Sequence, residues 1–307
     1  MTDIEYFKLI QTNSETSSTS GESSLFSKTL IIFDFDDTLF CTKYFDTFTL
    51  SYQDIFTCKT SLEEINPCLV RELKELENTI IELFINLQQN YDIIIISNAN
   101  MKWINNCLTH FLEELKEFIN ENNIKIYSAK SMFSKICKNK NEWKIKCFKK
   151  VINDLYKNQI KYIDLNVVSV GDNNEEKKAV FNLVKINKYY KIRPKFIRMI
   201  SYPSAATIIL QLKYLIKNIN NMIFDDNSIF KMNIELKNDK AEIICISSKK
   251  KNNENIFGEN LLIKNNDSYL DNISYFYLNK NENNEKKENI TLDKTIFINR
   301  KKKEEKK

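Results

Sequence analysis

The chain has 307 residues, and 42% hydrophobic and 12% aromatic content supplies a buried core, which excludes a chain disordered throughout. Its 3 Gly, 3 Pro and 1 His exclude a two-histidine metal site, a GxGxxG dinucleotide loop and a GxxxxGK[ST] nucleotide loop. The net charge of +5 is weighted toward a lysine-rich tail, so the remainder is close to balanced and no nucleic-acid partner is indicated.

Residues 1–24 include the small polar run QTNSETSSTSGESS and read as a disordered lead. TLIIFDF (29–35) is a continuous apolar run ending in acids, the pattern of a buried strand. A loop rich in Thr and aromatics follows, CTKYFDTFTLSYQDIFTCKT (41–60). NPCLVRELKELENTIIELFINLQQN (66–90) then has three-and-four apolar spacing, with Pro67 placed to start a helix. YDIIIISN (91–98) predicts a second buried strand and residues 101–120 one helix. That helix contains His110, whose apolar, helical context makes it structural.

IKIYSA (124–129) predicts a short third strand. Residues 141–158 predict a helix with Trp143, Ile145, Phe148, Val151, Ile152 and Leu155 turned inward. LNVVSVGD (165–172) reads as a fourth strand, residues 175–190 as a helix opened by acids, KFIRMI (195–200) as a fifth strand, and 203–219 as a helix begun by Pro203. Beyond this the texture becomes β-like. Residues 229–247 read as a hairpin turning at Asn238-Asp239, and ENLLIKNN and NISYFYLNK read as further short strands.

The alternation predicts an α/β fold: a parallel Rossmann-like sheet with helices on both faces over residues 25–222, a small β-rich C-terminal appendix over 223–299, and a charged tail over 300–307. Seven cysteines without a CxxC pair, and no secretory or membrane-length apolar run, predict an intracellular, cytoplasmic location; the basic tail leaves a nuclear address open. No membrane partner is expected.

In such sheets ligands bind beyond the carboxyl ends of the strands. Strand one ends in Asp34-Phe35-Asp36-Asp37-Thr38, whose alternate carboxylates, Asp34 and Asp36, call for a hard divalent cation such as Mg²⁺. Strand four ends in Gly171-Asp172, followed by Glu175 and Glu176; strand two ends in Ser97-Asn98. Lys144, at the start of a helix, can place a positive charge near a phosphate oxygen, with Lys146 its competitor. Asp37 is expected to point away, and Glu175 to serve only the helix start.

The order DFDDT, SN, a helix-borne lysine and GDxxxE resembles the haloacid dehalogenase superfamily of phosphohydrolases and phosphotransferases, over about residues 29–219. The resemblance implies an aspartyl-phosphate on Asp34 and general acid–base work by Asp36. Phosphate binding falls to Thr38, Ser97, Asn98 and Lys144, and metal binding to Asp34, Asp36, Asp172 and Glu176, the last standing where Asp is commoner. It implies a Mg²⁺-dependent phosphatase. A catalytically silent binding or scaffold protein and a phosphotransferase are the alternatives. The spacings, 63 positions from Asp34 to Ser97 and 47 from Ser97 to Lys144, leave no room for a large cap. An open site suits a phosphorylated macromolecule such as a phosphoprotein, unless the β appendix covers it.

Overall fold

The computed structural model describes residues 27–46, 56, 67–156, 164–186, 191–237, 240–247 and 256–257. The elements in chain order are β1 (Ser27–Phe33), a short α1 (Thr42–Phe45), α2 (Pro67–Gln88), β2 (Asp92–Ser97), α3 (Met101–Phe111), α4 (Glu113–Glu121), β3 (Lys125–Ser128) and α5 (Ala129–Phe133). Then come α6 (Trp143–Tyr156), β4 (Asp164–Gly171), α7 (Asn174–Ile186), β5 (Lys191–Arg198), α8 (Ala205–Phe224), β6 (Ile229–Lys237), β7 (Lys240–Ser247) and β8 (Ile256–Phe257). The predicted N-terminal lead, the later C-terminal strands and the charged tail lie outside the described residues.

The strands form one sheet in the order β3-β2-β1-β4-β5-β6-β7-β8, parallel from β3 through β6 and antiparallel beyond. Alternate side chains of β1 divide the core. Ile31 and Phe33 face α2, α3, α4 and α8, together with Ile95 and Val170; Leu30 and Ile32 face α5, α6 and α7, together with Ile94 and Val167. Burial on both faces is why these strands read as unbroken apolar runs. The order places β1 inside the sheet, flanked by β2 and β4, where the strand order reverses and a doubly wound sheet puts its ligand crevice.

Three elements differ from the sequence reading. The single helix over 101–120 breaks at Leu112 (φ −140°, ψ 57°), which has no side-chain cap to offer. The buried Glu77 of α2 supplies the missing partner by accepting from the Leu115 amide at 2.9 Å, so a carboxylate from another helix starts α4. The fifth strand begins at Lys191 and contains Pro194. β6 pairs only with Phe196–Arg198, so Pro194 sits where β5 is still an edge and its missing N–H costs no ladder bond. The hairpin β6–β7 is present, but it continues the sheet past β5, parallel to β5 through β6, and β8 pairs on its far side. Of the residues expected inward on α6, Leu155 is exposed, while Lys144 is buried. Among the described residues no helix is long and apolar enough to cross a membrane.

Candidate functional site

The turn after β1 is built from its apolar residues. Phe35, Leu39 and Phe40 are fully buried, and the Phe35 carbonyl accepts from the amides of Thr38, Leu39 and Phe40 at 3.3, 2.9 and 3.0 Å. Asp37 takes a left-handed φ of 55°, which closes the turn. Asp34 extends the β1–β4 contact by one residue, its amide donating to the Val170 carbonyl at 2.9 Å. The turn therefore holds Asp34 and Asp36 at the carboxyl edge while Phe35 anchors in the core. Thr38 contributes its backbone to this turn, and its buried hydroxyl has no hydrogen-bond partner among the described residues.

The turn after β4 meets it. Glu176, on the first turn of α7, folds back so that its Oε2 accepts from the Asn173 amide at 3.0 Å, as in a capping box. This return path lies over Gly171: a Cβ there would come within 2.6 Å of Glu176 Cγ. The glycine thus serves close approach, and its φ is not positive.

Lys144, near the start of α6, lies between the two turns. Its Nζ is 2.8 Å from Asp34 Oδ2 and also pairs with Glu176 Oε1, and all three residues are buried. A lysine at a helix N-terminus is not favoured by the helix dipole, so the two acids account for its position. Burial opposes its charge, but Asp34 and Glu176 outweigh this and hold the ammonium above the usual lysine range. Trp143 fixes the helix start by donating from Nε1 to the Cys137 carbonyl at 2.7 Å. Lys146 is elsewhere: half-exposed, it pairs with Glu142 at 3.0 Å and Cys137 Sγ at 3.1 Å.

Asp34, Asp172 and Glu176 offer carboxylate oxygens within 4.8 Å of one another, an arrangement that could hold a metal ion. Asp172 is fully buried. Its Oδ1 accepts from Asn173 Nδ2 at 2.7 Å, while Oδ2 has no hydrogen bond among the described residues and lies 3.6 Å from the Lys43 ammonium. Burial, reinforced by Glu176 and Asp37 and opposed by Lys43, pushes its carboxyl up to about 7. Burial likewise raises Asp34 well above the carboxylate range against the pull of Lys144, with Glu176 and Asp36 adding to the rise. A desolvated acid group with too few cations and an orphaned oxygen suits a hard divalent ion.

Asp36 is not part of that group. Its Oδ1 accepts from Thr42 Oγ1 at 2.6 Å and Trp103 Nε1 at 3.0 Å, and its Oδ2 from Ser97 Oγ at 3.2 Å. The Ser97 hydroxyl is therefore turned to Asp36, and it also accepts from the Ala99 amide at 3.0 Å. Asn98 donates to Glu175 Oε2 and keeps a buried Oδ1 without a hydrogen bond among the described residues. Glu175 thus does more than open α7, since it ties the β2 edge to that helix. Asp37 does not point away: Lys43 Nζ reaches it at 2.8 Å, and its carboxylate also accepts from the Lys43 amide at 2.9 Å.

Sequence reasoning missed Thr42, Lys43, Trp103 and Tyr202. Lys43 Nζ lies 4.1 Å from the centre of the Tyr202 ring. Trp103 and Tyr202 stand in or beside the segments that follow β2 and β5 at the carboxyl edge, and that placement was the available signal. A surface hollow of about 400 Å³ on α7, lined in part by Lys177, Phe181 and Lys185, contains none of these acids and is not this site. Comparison with protein-family models, curated proteins and solved structures gives no match to this chain.

Proposed function

We propose that the chain is a Mg²⁺-dependent phosphatase of the haloacid dehalogenase type, acting through Asp34. The observation that carries this reading is the pairing of Lys144 with both Asp34 and Glu176. Of the two lysines the sequence offered, Lys144 is buried between the acids and Lys146 is half-exposed and paired elsewhere.

In this reading an Asp34 carboxylate oxygen attacks phosphorus as the ester P–O bond breaks. The departing oxygen takes a proton from Asp36. Asp36 then accepts a proton from water, whose oxygen attacks phosphorus; the bond to Asp34 breaks and inorganic phosphate leaves. Lys144 holds Asp34 in place and offers positive charge to the phosphoryl oxygens. Asp34, Asp172 and Glu176 are the residues that would hold Mg²⁺, which when bound supplies charge neutralisation at the phosphoryl group. Glu176, which accepts from the Asn173 amide and pairs with Lys144, also positions that lysine. Thr42, Ser97 and Trp103 orient Asp36.

Among the described residues, the elements between Asp34 and Ser97, and between Ser97 and Lys144, are short helices, one long core helix and the strands β2 and β3. That favours an open cleft and a phosphorylated macromolecule. With p-nitrophenyl phosphate, turnover should require Mg²⁺ and fall by several orders of magnitude in Asp34→Asn, because the uncatalysed reaction is extremely slow. Undiminished turnover in that variant would refute the assignment. A second reading, binding without turnover, is favoured by the three donors that hold Asp36, and a Mg²⁺-loaded protein that binds phosphate analogues without hydrolysing esters would support it.

A further inference from the structure

Tyr202 is a bulky residue with a φ of 59° and a side chain 55% exposed. A left-handed aromatic residue is a backbone outlier that persists only where its surroundings hold it. Here they do. The Met199 amide donates to the Gly171 carbonyl at 2.9 Å, the Ile200 amide to Gln211 Oε1 at 2.7 Å, and Ser201 Oγ to the Asp172 carbonyl at 3.1 Å. Ser204 then caps α8 by accepting from the Thr207 amide at 3.2 Å. The loop from β5 to α8 is pinned on both sides of Tyr202 and tied to the turn that carries Asp172.

From this loop a graded path leads inward. The exposed Tyr202 ring lies 4.1 Å from the Lys43 ammonium, whose side chain is 36% exposed. Lys43 Nζ is 3.6 Å from Asp172 Oδ2, which is fully buried and within 4.8 Å of its partners in the acid group. The ring therefore stands at the solvent end of a line of contacts that ends at the proposed phosphoryl site. An ammonium against the ring fixes its plane by a cation–π contact, and a fixed aromatic ring at a site mouth is a stacking platform.

We propose that Tyr202, oriented by Lys43, forms the subsite for the group esterified to phosphate, and that it selects aromatic over aliphatic phosphate esters. The inference rests on the phosphatase reading for the position of the phosphoryl group, but not on turnover. Binding of two non-hydrolysable analogues, benzylphosphonate and propylphosphonate, to the Mg²⁺-loaded protein tests it by calorimetry. The native chain should bind the benzyl compound about two- to tenfold more tightly, the range that one aromatic pair supplies. Tyr202→Phe should keep that preference. Tyr202→Gly, which relaxes the left-handed backbone and so cannot fail through strain, should erase it, with benzylphosphonate losing more affinity than propylphosphonate. Equal affinity for the two compounds in the native chain, or a preference that survives in Tyr202→Gly, would overturn the proposal and leave the phosphatase reading intact. Benzyl-selective binding without ester hydrolysis would do the reverse, and failure to bind either analogue would overturn both.

Discussion

Two lysines in this site do the same geometric task under different conditions. Lys144 bridges Asp34 and Glu176 at 2% side-chain exposure, and Lys43 bridges Asp37 and Asp172 at 36%. In the interior, neither partner of an ion pair can be lost without leaving the other charge desolvated, so the inner bridge is structural as well as chemical. At the rim, water screens the charges and the ammonium can move at little cost. The inner lysine therefore fixes Asp34, the proposed nucleophile. The outer one leaves Asp172 Oδ2 without a hydrogen bond among the described residues, which suits the proposed divalent cation.

The largest effect that sharpens this contrast is that of Lys144→Met. It leaves two buried acids facing each other and should cost about 3–5 kcal/mol in chemical unfolding, with part of the loss recovered on adding Mg²⁺. A cost below 1 kcal/mol would mean that the inner bridge is no different from the outer one.

Next comes the pH dependence of the Mg²⁺-free protein. Asp172 keeps its proton up to about 7 when folded, whereas the unfolded chain releases it near 4. The folded state holds the extra proton across that window, so stability should fall as pH rises through it, by at most about 1.4 kcal/mol per pH unit for this group. Asp172→Asn should flatten the slope, and saturating Mg²⁺ should do the same. A slope unchanged by both would place the ion elsewhere.

The smallest effect is expected of Lys43→Met, at under about 1 kcal/mol in stability for a partly exposed pair. The same change should tighten Mg²⁺ binding, because it removes a positive charge 3.6 Å from Asp172. Weaker Mg²⁺ binding in that variant would contradict the role given to the rim.

Much of this arrangement was legible in the sequence, because buried parallel strands are written as continuous apolar runs and their carboxyl ends are where acids have to be explained. The positions of Asp34, Asp172 and Glu176 at one edge follow from that logic, whereas the sequence left Lys144 and Lys146 in competition and the buried pairing with Asp34 belongs to Lys144. What was not legible depends on contacts between distant parts of the chain. No glycine or proline marks the break at Leu112, since the carboxylate that starts α4 comes from Glu77 on α2. Nothing local to Asp36 announces Trp103, 67 positions away, as its donor. Tyr202 sits in a left-handed conformation that a sequence pattern assigns to glycine or asparagine, so only the pinned loop reveals it. Glu176 in place of the commoner Asp becomes intelligible once its return to the Asn173 amide is seen, a reach that favours the longer side chain.

The central claim, a covalent phosphoryl intermediate on Asp34, is tested most directly by rapid acid quench of the Mg²⁺-loaded protein with a ³²P-labelled aryl phosphate, followed by peptide mapping. An acid-stable, hydroxylamine-labile label should appear on the peptide containing Asp34 and be absent from Asp34→Asn. Ester hydrolysis with no label on that peptide, or label that persists in the variant, would contradict it.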